Sequence, residues 1–218
     1  MIVESATFVT LLGGGELPDA AFDMALSRAS VLVAADGGAE AALARGHIPD
    51  AVIGDLDSLS TAAMAQIPGD RLHRITEQDS TDFDKALRSI RAPGVLAIGF
   101  TGRRTDHELA AYHAMVQPGR APTISIGAED ITFAAPPEIF VELEPDTRVS
   151  LFPLAPVTVT AEGLEWPLDT AHLDPLDRIG TSNRATGGGL RIRTHAPGLL
   201  IILPRAALDA AMRGLFGG

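Results

Sequence analysis

Apolar runs that end abruptly on glycine or aspartate punctuate the first half of this chain. Residues 6–12 run into Gly13-Gly14-Gly15, Val31–Ala35 into Asp36-Gly37-Gly38, Ala51–Gly54 into Asp55, and residues 95–100 into a loop that carries Gly102. Short apolar runs bounded by turn residues predict buried strands. Between them, residues 17–28, 39–45, 82–91 and 105–115 show helical spacing, and 123–126 is one more strand. Pro18 and Asp19 suit a first helical turn, and Thr81 and Asp84 are spaced as in a capping box. Strands alternating with helices predict a mostly parallel α/β sheet covered on both faces.

After about Glu129 the period changes. Segments 131–134, 138–143, 148–152, 157–161, 189–194 and 198–203 are strand-like, with Pro and Gly between them, and only 205–215 returns to helical spacing. Closely spaced short strands predict a sandwich or barrel. The chain therefore divides into an α/β domain over residues 1–128 and a sandwich-like all-β domain over 129–218, without a long linker.

A length of 218 residues suffices for a proper core, and 46% hydrophobic with 21% charged residues is ordinary globular composition. The formal charge of −11 argues against a nucleic-acid or anionic-membrane binder, which would carry a basic patch. The chain has no cysteine, which excludes disulfides and thiolate metal sites. No apolar run approaches the ~20 residues of a membrane span, and no basic segment precedes an apolar one at the N-terminus. These features predict a soluble, cytoplasmic protein.

Ligands of open parallel sheets bind beyond the carboxyl ends of the strands. The loops at 13–15, 36–38, 55–58 and 99–107 all fall there. The glycine triplet fits neither the dinucleotide-binding nor the P-loop pattern, and alone it reads equally as a tight turn. Carboxylates are the stronger signal. Asp55 and Asp57, two apart on an extended segment, would share a face, and Asp79 and Asp82 would meet across a helix start. Grouped carboxylates repel, and a hard cation such as Mg2+ relieves that repulsion, usually together with substrate phosphates. Lys85, one turn beyond Asp82, supplies a charge for phosphate.

Gly102-Arg103-Arg104-Thr105-Asp106-His107 places two guanidinium groups at a helix start, where anions are favoured. The arginines read alternatively as partners of the nearby acids, and His107 as a base or a structural residue. No zinc-type histidine spacing occurs, and Ser58 lacks a nucleophile-elbow context. In the second half, Gly163-Leu164-Glu165-Trp166 holds the only tryptophan of the chain. Trp166 reads either as core or as a partly exposed ring able to stack on a heterocycle.

Taken in order, Asp36-Gly37-Gly38, Gly54 to Ser58, Gln78 to Asp82 with Lys85, Gly102 to His107, Gly163 to Trp166 and Ser182-Asn183 resemble the thiamine pyrophosphokinases. That family transfers a pyrophosphoryl group from ATP to thiamine and releases AMP. The resemblance implies a catalytic α/β domain that binds ATP and Mg2+, and a β domain that contributes to thiamine binding and dimerisation. It also implies a homodimer whose thiamine sites lie between the catalytic domain of one subunit and the β domain of the other. By motif, Asp55, Asp57, Asp79 and Asp82 would surround Mg2+ and the phosphates. Asp55, Asp82, Lys85 and Arg104 would be catalytic. Asp36, Gly37, Ser58, Thr81, Lys85 and Arg104 would bind ATP. Gln78 and Asp106 would face thiamine, Trp166 would stack on its pyrimidine, and Ser182 and Asn183 would line the pocket. One position departs: the family carries two glycines before the arginine at 104, and here the second is Arg103. Neighbouring readings are a pyrophosphokinase acting on a hydroxymethylpterin, a Mg2+-dependent phosphohydrolase, and a nucleotide sensor without turnover.

Overall fold

A computed structural model describes residues 1–217. The backbone divides into two units, Met1–Ala114 with Gly119–Ala128, and Met115–Pro118 with Glu129–Gly218. In the first unit the chain runs β1 (Val3–Glu4), β2 (Val9–Leu12), α1 (Asp19–Leu26), β3 (Val31–Ala35), α2 (Gly38–Leu43), β4 (Ala51–Gly54), α3 (Thr61–Met64) and β5 (Leu72–Arg74). It continues through α4 (Asp82–Arg88), β6 (Ile90–Arg91), β7 (Val95–Ile98), α5 (Thr105–Met115) and β8 (Thr123–Ile126).

Strands of this unit lie in the order β8-β7-β2-β3-β4-β5, every neighbouring pair parallel. All residues of β2, β4, β7 and β8 are buried, which is why their sequences show unbroken apolar runs rather than alternation. Phe22, Ala25 and Ala21 bury one face of α1, and Phe83, Ala86 and Leu87 one face of α4. At the start of α4, the Thr81 side chain accepts from the Asp84 N–H at 3.3 Å, which satisfies one otherwise unpaired helix-terminal donor.

Some boundaries differ from the expectation, each for a local reason. Strand β2 begins at Val9, and β7 stops at Ile98 because Gly99 turns the chain with φ +75°. Helix α4 ends at Arg88, where Ile90 and Arg91 leave to pair with β1. Strand β5 and helix α3 carry no clear sequence signal. Leu72, His73 and Arg74 are not fully buried, and α3 spans one turn.

In the second unit β9 (Asp130–Ala134), β10 (Glu138–Val141), β11 (Arg148–Pro153), β12 (Val157–Glu162), β13 (Leu168–Leu173), β14 (Gly180–Arg184), β15 (Leu190–Thr194) and β16 (Leu199–Pro204) precede α6 (Leu208–Phe216). They pair antiparallel as β14-β11-β16-β9 and as β10-β15-β12-β13, a sandwich arrangement. Buried residues alternate along β10 and β12, as expected where one sheet face meets a core. Strands β13 and β14 escape the sequence reading. In β14 only Asn183 is buried, so no apolar alternation marks it. Among the described residues no helix is long and apolar enough to cross a membrane.

Candidate active site

The first unit has its topological switch point at β2, whose neighbours β3 and β7 are reached by crossovers in opposite directions. Loops leaving the carboxyl ends of β2 and β7 meet there. Gly13 N–H donates to Ile98 at 2.8 Å and Gly15 N–H to Gly99 at 2.7 Å. A Cβ on Gly13 would lie 2.5 Å from the Gly99 carbonyl oxygen, and one on Gly15 2.4 Å. The triplet is therefore a close-packed backbone contact at the switch point, a role that only glycine fills. A cleft of about 440 Å³ opens beside it, and its lining includes Asp36, Gly37, Ser58, Thr81, Asp82, Arg103, Arg104 and His107. A larger hollow of about 1060 Å³ in the second unit, beside α6, holds none of the predicted site residues. Predicted site residues gather at the smaller cleft.

Asp36, Asp55 and Asp57 each bring one carboxylate oxygen within 4.8 Å of the others. The route differs from the one expected for Asp55 and Asp57. Strand β4 ends at Gly54, and Leu56 adopts φ +62°, so the two aspartates lie on a turn and not on one strand face. Leu56 explains the turn: it is buried with Leu59, Val52 and Ala63, and this anchor leaves its acidic neighbours at the surface. Asp36 takes φ +41°, an uncommon conformation for a residue other than glycine. Gly54 lets the carboxylates close in. A Cβ there would lie 2.8 Å from the Asp36 Cβ and 3.2 Å from Asp82 Oδ1.

Charge is balanced unevenly across this group. Lys85, 2% exposed, holds Asp82 at 3.1 Å and approaches Asp55 at 3.9 Å. Asp55 also accepts from the Asp57 N–H and from Gln78 Nε2, both at 3.3 Å. The Asp57 N–H, then Gln78 and Lys85, hold the Asp55 carboxyl below its usual range against the opposing effect of desolvation. Asp36 behaves in the opposite way. Burial, reinforced by the charges of Asp82, Asp55 and Asp57, raises its carboxyl above the usual value despite an offset from the Ser58 side chain. Its Oδ1 is buried and has no hydrogen-bond partner among the described residues. A buried, unpaired carboxylate oxygen beside two further carboxylates is a donor set that suits a hard divalent cation.

Asp79 stands outside this trio. Its N–H donates to Glu77 Oε2 at 3.0 Å, and Glu77 Oε1 accepts from Ser80 and Arg88, each at 2.5 Å. Glu77, which the sequence reading passed over, thus braces the loop of Gln78 and Asp79 against α4. A glutamate shortly before a helix cap was the available signal.

Arg104 and Asp106 form a two-pronged pair at 3.1 and 2.6 Å, and Arg104 holds the Asp106 carboxyl below its usual value. Arg103 instead donates to the Gly14 carbonyl at 3.1 Å. The positive φ of this loop, +88°, falls on Gly102, so position 103 accepts a side chain without backbone strain.

Trp166, Ser182 and Asn183 belong to the second unit. Trp166 is 54% exposed and is no core residue. Asn183 holds its backbone from both sides, Nδ2 donating to the Trp166 carbonyl at 2.7 Å and Oδ1 accepting the Trp166 N–H at 3.2 Å. Asn183 Oδ1 also accepts from the Arg184 N–H at 2.8 Å. Asn183 is thereby a positioning residue for the tryptophan. Ser182 takes φ +60° and donates its N–H to Ser150 Oγ at 3.0 Å.

A family model for the thiamin pyrophosphokinase catalytic domain matches residues 22–126, and one for the thiamin pyrophosphokinase vitamin B1 binding domain matches residues 138–199. Among solved structures, thiamin pyrophosphokinase from Candida albicans superposes with a TM-score of 0.77 at 15% identity, covering 93% of this chain and 92% of that one. A protein from Lactobacillus plantarum gives 0.77 at 27% identity, covering 92% and 99%. Yeast thiamin pyrophosphokinase gives 0.73 at 18% identity, covering 92% and 87%. At 15% and 18% identity, the Candida and yeast likenesses establish the mixed α/β and β-sandwich fold. No curated protein shows a significant match to the chain.

Proposed function

Since the chain belongs to the thiamin pyrophosphokinase family, we infer that it transfers the pyrophosphoryl group of ATP to the hydroxyl of thiamine, giving thiamine diphosphate and AMP. The observation that carries this reading is the meeting of three carboxylates near a buried lysine at the switch point of the unit that matches the catalytic domain. The hydroxymethylpterin and phosphohydrolase readings gain no support from either family match.

In this reading the first unit binds ATP and Mg2+, and the second supplies thiamine contacts and the dimer interface. Asp36, Asp55 and Asp57 would hold the Mg2+, with Asp82 beside them. The bound ion would neutralise charge on the phosphate oxygens. Thiamine's alcohol oxygen attacks the β-phosphorus, the Pβ–O bond to the α-phosphate breaks, and AMP leaves in line. Such chemistry depends on positioning and charge compensation more than on covalent help.

Asp55 or Asp82 accepts the alcohol proton, and the Gln78–Asp55 bond sets a residue expected to face thiamine beside the first of them. Lys85 pairs with Asp82 at 3.1 Å, and Arg104, released from Asp106, reaches the phosphates. Trp166 stacks on the pyrimidine from the neighbouring subunit of a homodimer, in a composite site. ATP as co-substrate points to the cytoplasm.

The test is product analysis with ATP, Mg2+ and thiamine. AMP and thiamine diphosphate should form in equal amounts and only when thiamine is present. ADP as the nucleotide product, or ATP consumption without thiamine, refutes the reading.

A further inference from the structure

Two arginines stand side by side in the cleft, and the fold uses them differently. Arg104 is occupied by both oxygens of Asp106. Arg103 makes a single bond, from Nη1 to the Gly14 carbonyl at 3.1 Å. A guanidinium carries five N–H donors in one plane. Beyond the Gly14 bond, the Arg103 side chain has no hydrogen bond or ion pair among the described residues. Its remaining donors stay available at a surface that also presents Thr81, Asp82 and Gly15.

The Gly14 bond has a second consequence. Gly14 lies on the loop after β2 and Arg103 on the loop after β7, so this contact ties together the two loops that flank the switch point. Around them the cleft is strongly acidic, with Asp36 and Asp82 in its lining and Asp55 and Asp57 close by. A polyphosphate entering such a cleft needs cationic donors that are not already committed. Lys85 is buried against Asp82, and Arg104 reaches phosphate only by giving up its pair with Asp106. Arg103 is exposed, planar and has donors to spare, and Arg is suited to two-pronged phosphate contact.

We infer that Arg103 is a polyphosphate-binding residue of this chain, gripping ATP with its free guanidinium edge while its Gly14 bond closes the glycine loop on the nucleotide. This deepens the reading above and rests on it for the identity of the polyphosphate. No family match assigns the role.

The test compares wild type with Arg103→Ala and Arg103→Lys, with ATP varied at saturating thiamine, alongside calorimetric titration with ATP. Arg103→Ala should raise both the KM and the Kd for ATP by about 10- to 100-fold, the range for lost charge-assisted hydrogen bonds. The thiamine KM should change by less than about twofold. Arg103→Lys keeps the charge without the planar fork and should fall between. ATP constants for Arg103→Ala within about twofold of wild type overturn the inference, and so does a lower Tm with an unchanged ATP Kd, which marks a loop tether alone. Failure of the enzymatic reading looks different. A wild-type chain that binds ATP yet forms no AMP with thiamine loses its reaction, while the calorimetric comparison still decides Arg103. Absence of ATP binding to wild type overturns both.

Discussion

In the first unit, Asp36 is 4% exposed and Lys85 2%, and the loops that carry the acidic group are held by glycine backbone contacts with no room for a Cβ. In the second unit, Trp166 leaves more than half its surface free, and one side-chain amide, that of Asn183, holds its backbone. On the proposed function, the difference follows from what each group would do. Charges act most strongly where water is excluded and where their positions are set before the reaction, which requires buried, rigid loops. A ring that stacks on a ligand needs an open apolar face on a firm platform, and the exposure of Trp166 suits that proposed role. Substitutions in the acidic group of the first unit should therefore act on turnover, and those at Trp166 and Asn183 in the second on thiamine binding.

The most forceful attempt to break this division is removal of a charge from the acidic group. Asp55→Asn and Asp82→Asn should each lower kcat by at least ~100-fold while the far-ultraviolet circular dichroism and cooperative melting persist. Near-normal kcat in both folded variants would remove the first unit's claim to the chemistry. Trp166→Ala should raise the thiamine KM by about 5- to 150-fold, taking roughly 1–3 kcal/mol for stacking from nucleic-acid systems. Its Tm should stay near that of wild type, since the side chain is half exposed. A large fall in Tm would show a core role. Asn183→Ala sharpens the same contrast, because it removes the bonds that place Trp166 without touching the ring. It should lower stability by about 1–3 kcal/mol and also raise the thiamine KM, whereas an unchanged KM would separate the amide from the ring's function.

The smallest effect concerns protonation of Asp36. Its carboxyl is raised in the folded state, so between the ordinary value of 3.8 and the raised one the folded chain binds more protons than the unfolded chain. The stability this group contributes is complete below 3.8 and is lost as pH rises through the raised value. In chelator-treated protein, Asp36→Asn should gain Tm relative to wild type over that window and hold the gain above it. Parallel Tm–pH curves would show that Asp36 carries no such burden.

The sequence shows these two regions with unequal clarity. Val31–Ala35, Ala51–Gly54, Thr105–Met115 and Thr123–Ile126 are legible to the residue, and for the three strands the reason is burial, which leaves unbroken apolar runs. Strands β13 and β14 are not, since Asp169, Thr170, Thr181 and Ser182 are exposed and break any alternation. The acidic loops are visible as composition, but their geometry is not. Asp55 and Asp57 meet because Leu56 enters the core through a left-handed turn, and no spacing rule reports that. Asp36 joins them because Asp-Gly follows a buried strand and Gly54 leaves space. That convergence is tertiary. Trp166 is half legible: its Gly- and acid-rich neighbourhood suggests exposure, while the clasp of Asn183 across the sheet emerges only when β14 is in place.

The account stands on attack at the β-phosphorus of ATP in a site of preset charge, and oxygen labelling tests this most directly. ATP carrying ¹⁸O in the bridge between its α- and β-phosphorus is allowed to react with thiamine, and the products are weighed by mass spectrometry. Attack at the β-phosphorus sends the labelled bridge out with the leaving group, so the label should appear in AMP and be absent from thiamine diphosphate. Release of labelled pyrophosphate with an adenylated thiamine would place the attack at the α-phosphorus and contradict the account.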